Sequence, residues 1–212
     1  MYPMDSASFL IFDLVVILFS VVIHEVSHGY VAERLGDPTA RLAGRLTLNP
    51  VSHIDIVGSI LVPLVLHISG APIIGWAKPV PYNPMNLKDP IGGGAKIAAA
   101  GPLSNLLVAL VFGILARIVV AWQFTMTPQL FGLFSLIALR NIGLAVFNFV
   151  PIPPLDGSKV LFSLLPRTQT GYQIASFLEQ YGTVLLIVFV FSGATVVVVP
   201  VILWLFELFV GV

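Results

Sequence analysis

The chain has 212 residues, of which 58% are hydrophobic and 9% charged, with ten basic and ten acidic side chains and no cysteine. Soluble domains carry about 25% charged residues, so this composition, with a mean hydropathy of +1.01, excludes a soluble enzyme and specifies a membrane protein of one domain over 1–212. Disulfides, thiolate metal sites and cysteine nucleophiles are excluded as well, and the balanced charge gives no reason to expect a nucleic acid partner.

Taken in chain order, the N-terminus MYPMDSASF lacks the basic region of a signal peptide and is expected to be retained. The first long apolar stretch, Phe9–Ala32, suffices as a helix to cross a bilayer. Inside it lies His24-Glu25-Val26-Ser27-His28. Two histidines four residues apart project from one helix face and suit a single zinc ion. A glutamate beside the first can take a proton from water at that metal. Ionisable groups near the middle of a span cost roughly 3 kcal/mol each on insertion scales, so they mark function. A satisfied pair of core histidines would leave Glu25 buried without a partner.

Three further stretches can span: Ile97–Trp122, Leu130–Phe149 and Thr183–Phe206. The run Ile56–Leu66 is only about 16 Å long as a helix and contains Gly58 and Pro63. Arg34, Arg41, Arg45, Lys78, Lys88 and Lys96 fall between the first two long stretches, and Lys159 and Arg167 between the last two. The positive-inside rule then places the N-terminus outside and both basic connections in the cytoplasm of a multi-pass cell-membrane protein. If the short run also spanned, the basic residues would be split across the bilayer, so it reads as a re-entrant or surface helix. The expected fold is therefore all-α and polytopic: about four transmembrane helices, that short helix, and a small β element on the cytoplasmic side.

The β element is expected in Ala40–Asn49, where polarity alternates weakly and Gly44 offers a bend. Ala71–Pro90 holds five prolines and should be extended. It is either a strand whose edge receives an unfolded substrate segment or a plain connecting loop. Gly92-Gly93-Gly94 reads as a hinge or turn before the next helix. Pro200 and the Ser192-Gly193 pair should kink or break the last run, which is one span or a tight helical pair. Arg140 interrupts the third span with Asn141, and Asp13 is its candidate partner.

A catalytic zinc needs a third protein ligand. The candidates are Glu33, His53, Asp55, His67 and Asp156. Asp156 closes the proline-rich run after the third span, and the four-span topology brings it out at the level of His24 and His28. Spacing alone leaves it either a ligand or the N-cap of a helix starting at Ser158; His53 and His67 read as hydrogen-bonded histidines. Asn105 and Asn148, expected at helix ends facing the site, either touch the substrate backbone and oxyanion or bond helix to helix.

HEVSHG in a membrane helix, AGPLSN at Ala100–Asn105 and NFVPIPPLDG together resemble the site-2 protease family of intramembrane zinc metalloproteases. The resemblance covers nearly the whole chain and is to the short bacterial members, expected to lack an inserted PDZ-like or CBS-like domain. It implies one Zn2+ held by His24, His28 and Asp156, Glu25 as the general base, and Gly101, Pro102 and Asn105 opening a core helix beside the site. The helix that some members place before the zinc-binding helix is expected to be missing. The implied partners are a transmembrane protein substrate and the lipid bilayer; oligomeric state is left open. The rival is an intramembrane zinc transporter or sensor without hydrolysis, which would need polar residues through both leaflets, where the outer halves are Val, Leu, Ile and Phe. A catalytically silent relative is opposed by the intact Glu25.

Overall fold

In the computed structural model, which describes residues 6–69, 76–122 and 127–211, one helix carries the packing. This is the helix Pro90–Trp122, and it buries Ala98, Gly101, Asn105, Ala109, Gly113 and Ala116 along one stripe. Small residues at three- and four-residue intervals let neighbouring backbones come close, the main source of helix association in lipid. A Cβ on Gly113, for example, would lie 2.8 Å from the Phe209 carbonyl oxygen.

In chain order the helices are α1 (Ser6–Arg34), α2 (Thr39–Leu42), α3 (Val62–Ser69), α4 (Pro90–Trp122), α5 (Thr127–Asn148), α6 (Asp156–Leu164), α7 (Gln169–Phe191) and α8 (Val198–Val210). Four of them, α1, α4, α5 and α7, are long and apolar enough to cross a membrane. Helices α1, α5, α6 and α8 pack against α4. Ala116, Ala138 and Val210 join α4, α5 and α8, with Phe112, Phe131, Phe134 and Phe206 around them. Arg117 fastens the end of α8 by donating to the Phe209 and Leu208 carbonyls.

Several expectations change. No strand occurs among the described residues, and Ala40–Asn49 forms α2 and a turn. Gly44 adopts φ +65, which lets the Gly44 and Arg45 amides bond back to Arg41 and Ala40, so a strand has no donors left there. The run after Asp55 is helical, a π-helical turn over Ile56–Leu61 leading into α3. Trp76 lies against Gly58, but Ile56, Leu64, Val65 and Ile68 are exposed; among the described residues this is not the protein cover a re-entrant segment needs, and that expectation is not supported. Gly92-Gly93-Gly94 is no hinge. Asp89 accepts from the Gly92 amide and Pro90 opens α4, the ordinary chemistry of a helix start. Helix α4 therefore begins eleven residues before Gly101, and Asn105 lies inside it. The last apolar run is two helices: α7 starts at Gln169, the chain breaks at Gly193 with φ +77, and α8 follows a 3-10 turn.

The suspected intramembrane ion pair is present. Arg140 on α5 donates from Nε and Nη2 to the two Asp13 oxygens on α1, each at 2.7 Å. Either charge alone would be stranded at a cost of about 3 kcal/mol. Asp13→Arg and Arg140→Asp should each lower the thermal midpoint of the detergent-purified protein, and the double exchange should recover most of the loss.

A second polar tie lies beyond the end of α1. Asp37 is fully buried and accepts from the Thr39 amide and hydroxyl, the Asn83 amide and Asn86 Nδ2. Burial pushes its carboxyl up, but these four donors outweigh that and hold it below the usual aspartate range. A carboxyl depressed in the fold stabilises above its unfolded pKa, and the contribution fades as pH falls through the native value. The stability gap between the protein and its Asp37→Asn variant should be constant, about 2 kcal/mol, above roughly pH 5 and shrink below about pH 4.

Candidate metal centre

Helical spacing puts His24 and His28 on the same side of α1, with ring centroids 4.6 Å apart and planes at 89°. Each ring is held from behind. His24 Nδ1 donates to Asn105 Oδ1 at 2.7 Å and His28 Nδ1 to the Ile97 carbonyl at 2.6 Å. The Asn105 amide cannot be turned around, because its Nδ2 donates to Asn141 Oδ1 and the Ser20 carbonyl. Asn141 in turn donates to Ser20 Oγ. This buried chain protonates both rings on Nδ1, so both Nε2 atoms carry lone pairs on the other side.

Asp156 arrives at those lone pairs. Helix α6 begins at Asp156 itself and has Leu155 as its N-cap, with no side-chain capping bond. The turn that delivers it is tight: a Cβ on Gly157 would stand 2.2 Å from the Phe149 carbonyl oxygen. Asp156 Oδ2 lies 3.0 Å from His24 Nε2 and 3.3 Å from His28 Nε2. Two nitrogen lone pairs and a carboxylate oxygen facing each other at this range suit a shared cation. Tetrahedral ligands at zinc bond lengths of about 2.0–2.1 Å sit about 3.3 Å apart, so the donor set fits zinc. Room for it is kept by Gly101, whose added Cβ would meet His24 Nε2 and His28 Nε2 at 2.6 Å.

Glu25 lines a cavity of about 570 Å³ with His24, His28, Asp156 and Asn148. The ligand atoms of His24, Glu25 and His28 all lie within 4.8 Å of one another. The roof is the extended segment 76–83. Val80 donates its amide to Glu25 Oε2 at 2.8 Å. This segment is clamped at both ends, by Arg45 Nη2 donating to the Lys78 carbonyl and Lys78 donating to that of His53, and by Asp37 accepting from Asn83.

That roof is not a free strand edge. Pro79 and Pro81 have no N–H and the Val80 N–H is taken, so along 79–81 it has no donor for a substrate strand; Pro72, further back in the same stretch, lies outside the described residues. Of the other ligand candidates, Glu33 pairs with Arg41, Asp55 accepts from the Gly58 amide, and buried His53 bonds the Thr47 carbonyl. The His67 side chain lies outside the described residues. Asn105 is fully buried behind His24, while Asn148 faces the cavity and donates to the Leu144 carbonyl. Sequence reasoning missed the parts played by Ser20, the Val80 amide and Arg45. Only Arg45 gave a signal, as a charged residue in an otherwise weakly polar run.

Residues 117–191 match peptidase family M50. YwhC of Bacillus subtilis (strain 168), whose name proposes a zinc metalloprotease, is 35% identical over 88% of this chain and 82% of its own length. MJ0611 of Methanocaldococcus jannaschii, similarly named, is 34% identical over 76% of this chain and 74% of its own. Rip2 of Mycolicibacterium smegmatis, also named so, is 28% identical over 84% of this chain and 65% of its own. No solved structure matches at the significance these relatives reach.

Proposed function

Since the chain belongs to peptidase family M50, the site-2 protease family of zinc metalloproteases, we propose that it is an intramembrane endopeptidase cutting peptide bonds within or beside transmembrane helices of other membrane proteins. The observation that carries this reading is the depth of the centre: His24 and His28 lie within a membrane-capable helix, and Asp156 meets them just past the end of another. Helices α1 and α5 bring their C-terminal ends to the centre, and α4 brings its N-terminal half. That alternation suits an outside N-terminus in the cell membrane and a site toward the cytoplasm, as the basic residues indicate.

In this reading His24, His28 and Asp156 hold the zinc. When bound, the metal supplies Lewis-acid polarisation and lowers the pKa of water toward about 7. Glu25 is the general base. With Oε2 fixed by the Val80 amide, Oε1 is left to take the proton of the attacking water and pass it to the leaving amine. Asn105 positions His24 rather than touching substrate, and Asn148 is placed to bond the substrate backbone. The substrate helix must unwind locally, because its own hydrogen bonds shield the scissile carbonyl.

The test is reconstitution of the full chain in liposomes with labelled single-span proteins, the cut being placed by mass spectrometry of the fragments. A bond inside or within a few residues of the span is expected. Cuts confined to water-exposed loops would sink the intramembrane part and leave the metalloprotease assignment standing.

A further inference from the structure

Among the residues lining the cavity, one charge has no task in the chemistry above. Lys159 lies three residues after Asp156, on the same side of α6, and is half-buried on the cavity wall. Its ammonium rests 5.2 Å from the centre of the Tyr82 ring, and no carboxylate or hydrogen-bond acceptor holds it among the described residues. The two nearby acids are both committed. Glu25 is bonded to the Val80 amide, and Asp156 faces the two imidazoles at 3.0 and 3.3 Å. The rest of the wall is mostly apolar, with Trp76, Leu144 and Phe147.

An ammonium parked on an aromatic face inside an apolar-walled cavity is only partly compensated. A ring contact is weak and loosely directed, whereas a charge-assisted hydrogen bond to a carboxylate is directional and shorter. A carboxylate entering beside it meets a positioned cation without displacing any existing ion pair.

We propose that Lys159, seated on Tyr82, is a carboxylate subsite: it favours peptides with an aspartate or glutamate side chain within a few residues of the scissile bond. The reach of one helical turn from Asp156, plus the lysine stem, sets that distance. The same chemistry could come from the new C-terminal carboxylate of a cleaved product, which would then be retained. This inference rests on the endopeptidase reading.

The experiment uses the full zinc-loaded chain in liposomes and a pooled set of single-span peptides differing only in Glu, Gln or Lys at each of three positions on either side of the cut. Wild type should cleave at least one Glu peptide about tenfold faster than its Gln counterpart. The ratio should fall to near one in Lys159→Gln, survive in Lys159→Arg, and invert toward Lys over Glu peptides in Lys159→Glu. A parallel arm adds the N-terminal product as free acid or as amide. Stronger inhibition by the acid, lost in Lys159→Gln, with no Glu preference in the pool, assigns the subsite to the product terminus. Cleavage by wild type with neither preference overturns the subsite and leaves the protease reading intact, and this measurement needs no variant to fold. Preferences that persist in Lys159→Gln place them elsewhere and overturn it too. Failure to cleave any peptide would remove the endopeptidase reading and this one with it.

Discussion

Replacing Glu25 by glutamine should leave one zinc per chain and lower hydrolysis about 10²–10⁴-fold, the usual worth of a general base. The two effects separate because of where Glu25 sits. The donor set that fits zinc is His24, His28 and Asp156, whose atoms meet at 3.0 and 3.3 Å. Glu25 faces the cavity from beside it and is held by the roof. A glutamine retains an oxygen for the Val80 amide but has no affinity for the water proton. Metal analysis of the purified variant, together with fragment yield from a cleaved substrate, reads both quantities. Equal loss of zinc and activity would move Glu25 into the ligand set. Unchanged hydrolysis would remove it from the mechanism.

Gly101→Ala should lose zinc, with affinity falling at least about 100-fold. The added Cβ would lie 2.6 Å from both Nε2 atoms and 2.5 Å from His28 Cε1. Neither ring can retreat, because each Nδ1 is tied behind it, one to Asn105 and one to the Ile97 carbonyl. The helix itself is not the problem, since alanine is the better helix former by about 1 kcal/mol. Gly143→Ala on α5 makes the comparison clean. A Cβ there meets nothing within 4 Å, so this variant should keep its zinc and gain stability slightly. Competitive titration with a zinc chelator measures the difference, and Gly101→Ala with wild-type affinity would show that the cradle has slack.

The pair of histidines was legible because helix periodicity converts a four-residue spacing into a shared face. Asp13 and Arg140 were legible for a related reason: in an apolar span each charge demands the other. The break at Gly193 was foreseeable from Ser192-Gly193, but not the start of α7 at Gln169. Hydropathy follows the apolar run from 183, while the helix begins at Gln169, capped by Thr168, whose side chain accepts from the Gly171 amide. The expected strand at 40–49 failed because alternation reports side chains, whereas the amides of residues 42–45 are consumed by α2 and the turn at Gly44. The contact from Val80 to Glu25 was illegible on the same ground, since a main-chain amide leaves no trace in a residue pattern. Asn105 drew notice as a polar residue in a span; only the bonds around it assign it to His24.

The Pro79-Val80-Pro81 roof bears on inhibitor chemistry. Peptide-like compounds usually gain purchase on an extended wall by offering it carbonyl groups. Here three consecutive residues have no hydrogen to give, so such a compound would lose solvation along this wall without return. Molecules directed to this side of the cavity should present N–H groups or bare hydrocarbon toward it, and keep their acceptors for the metal.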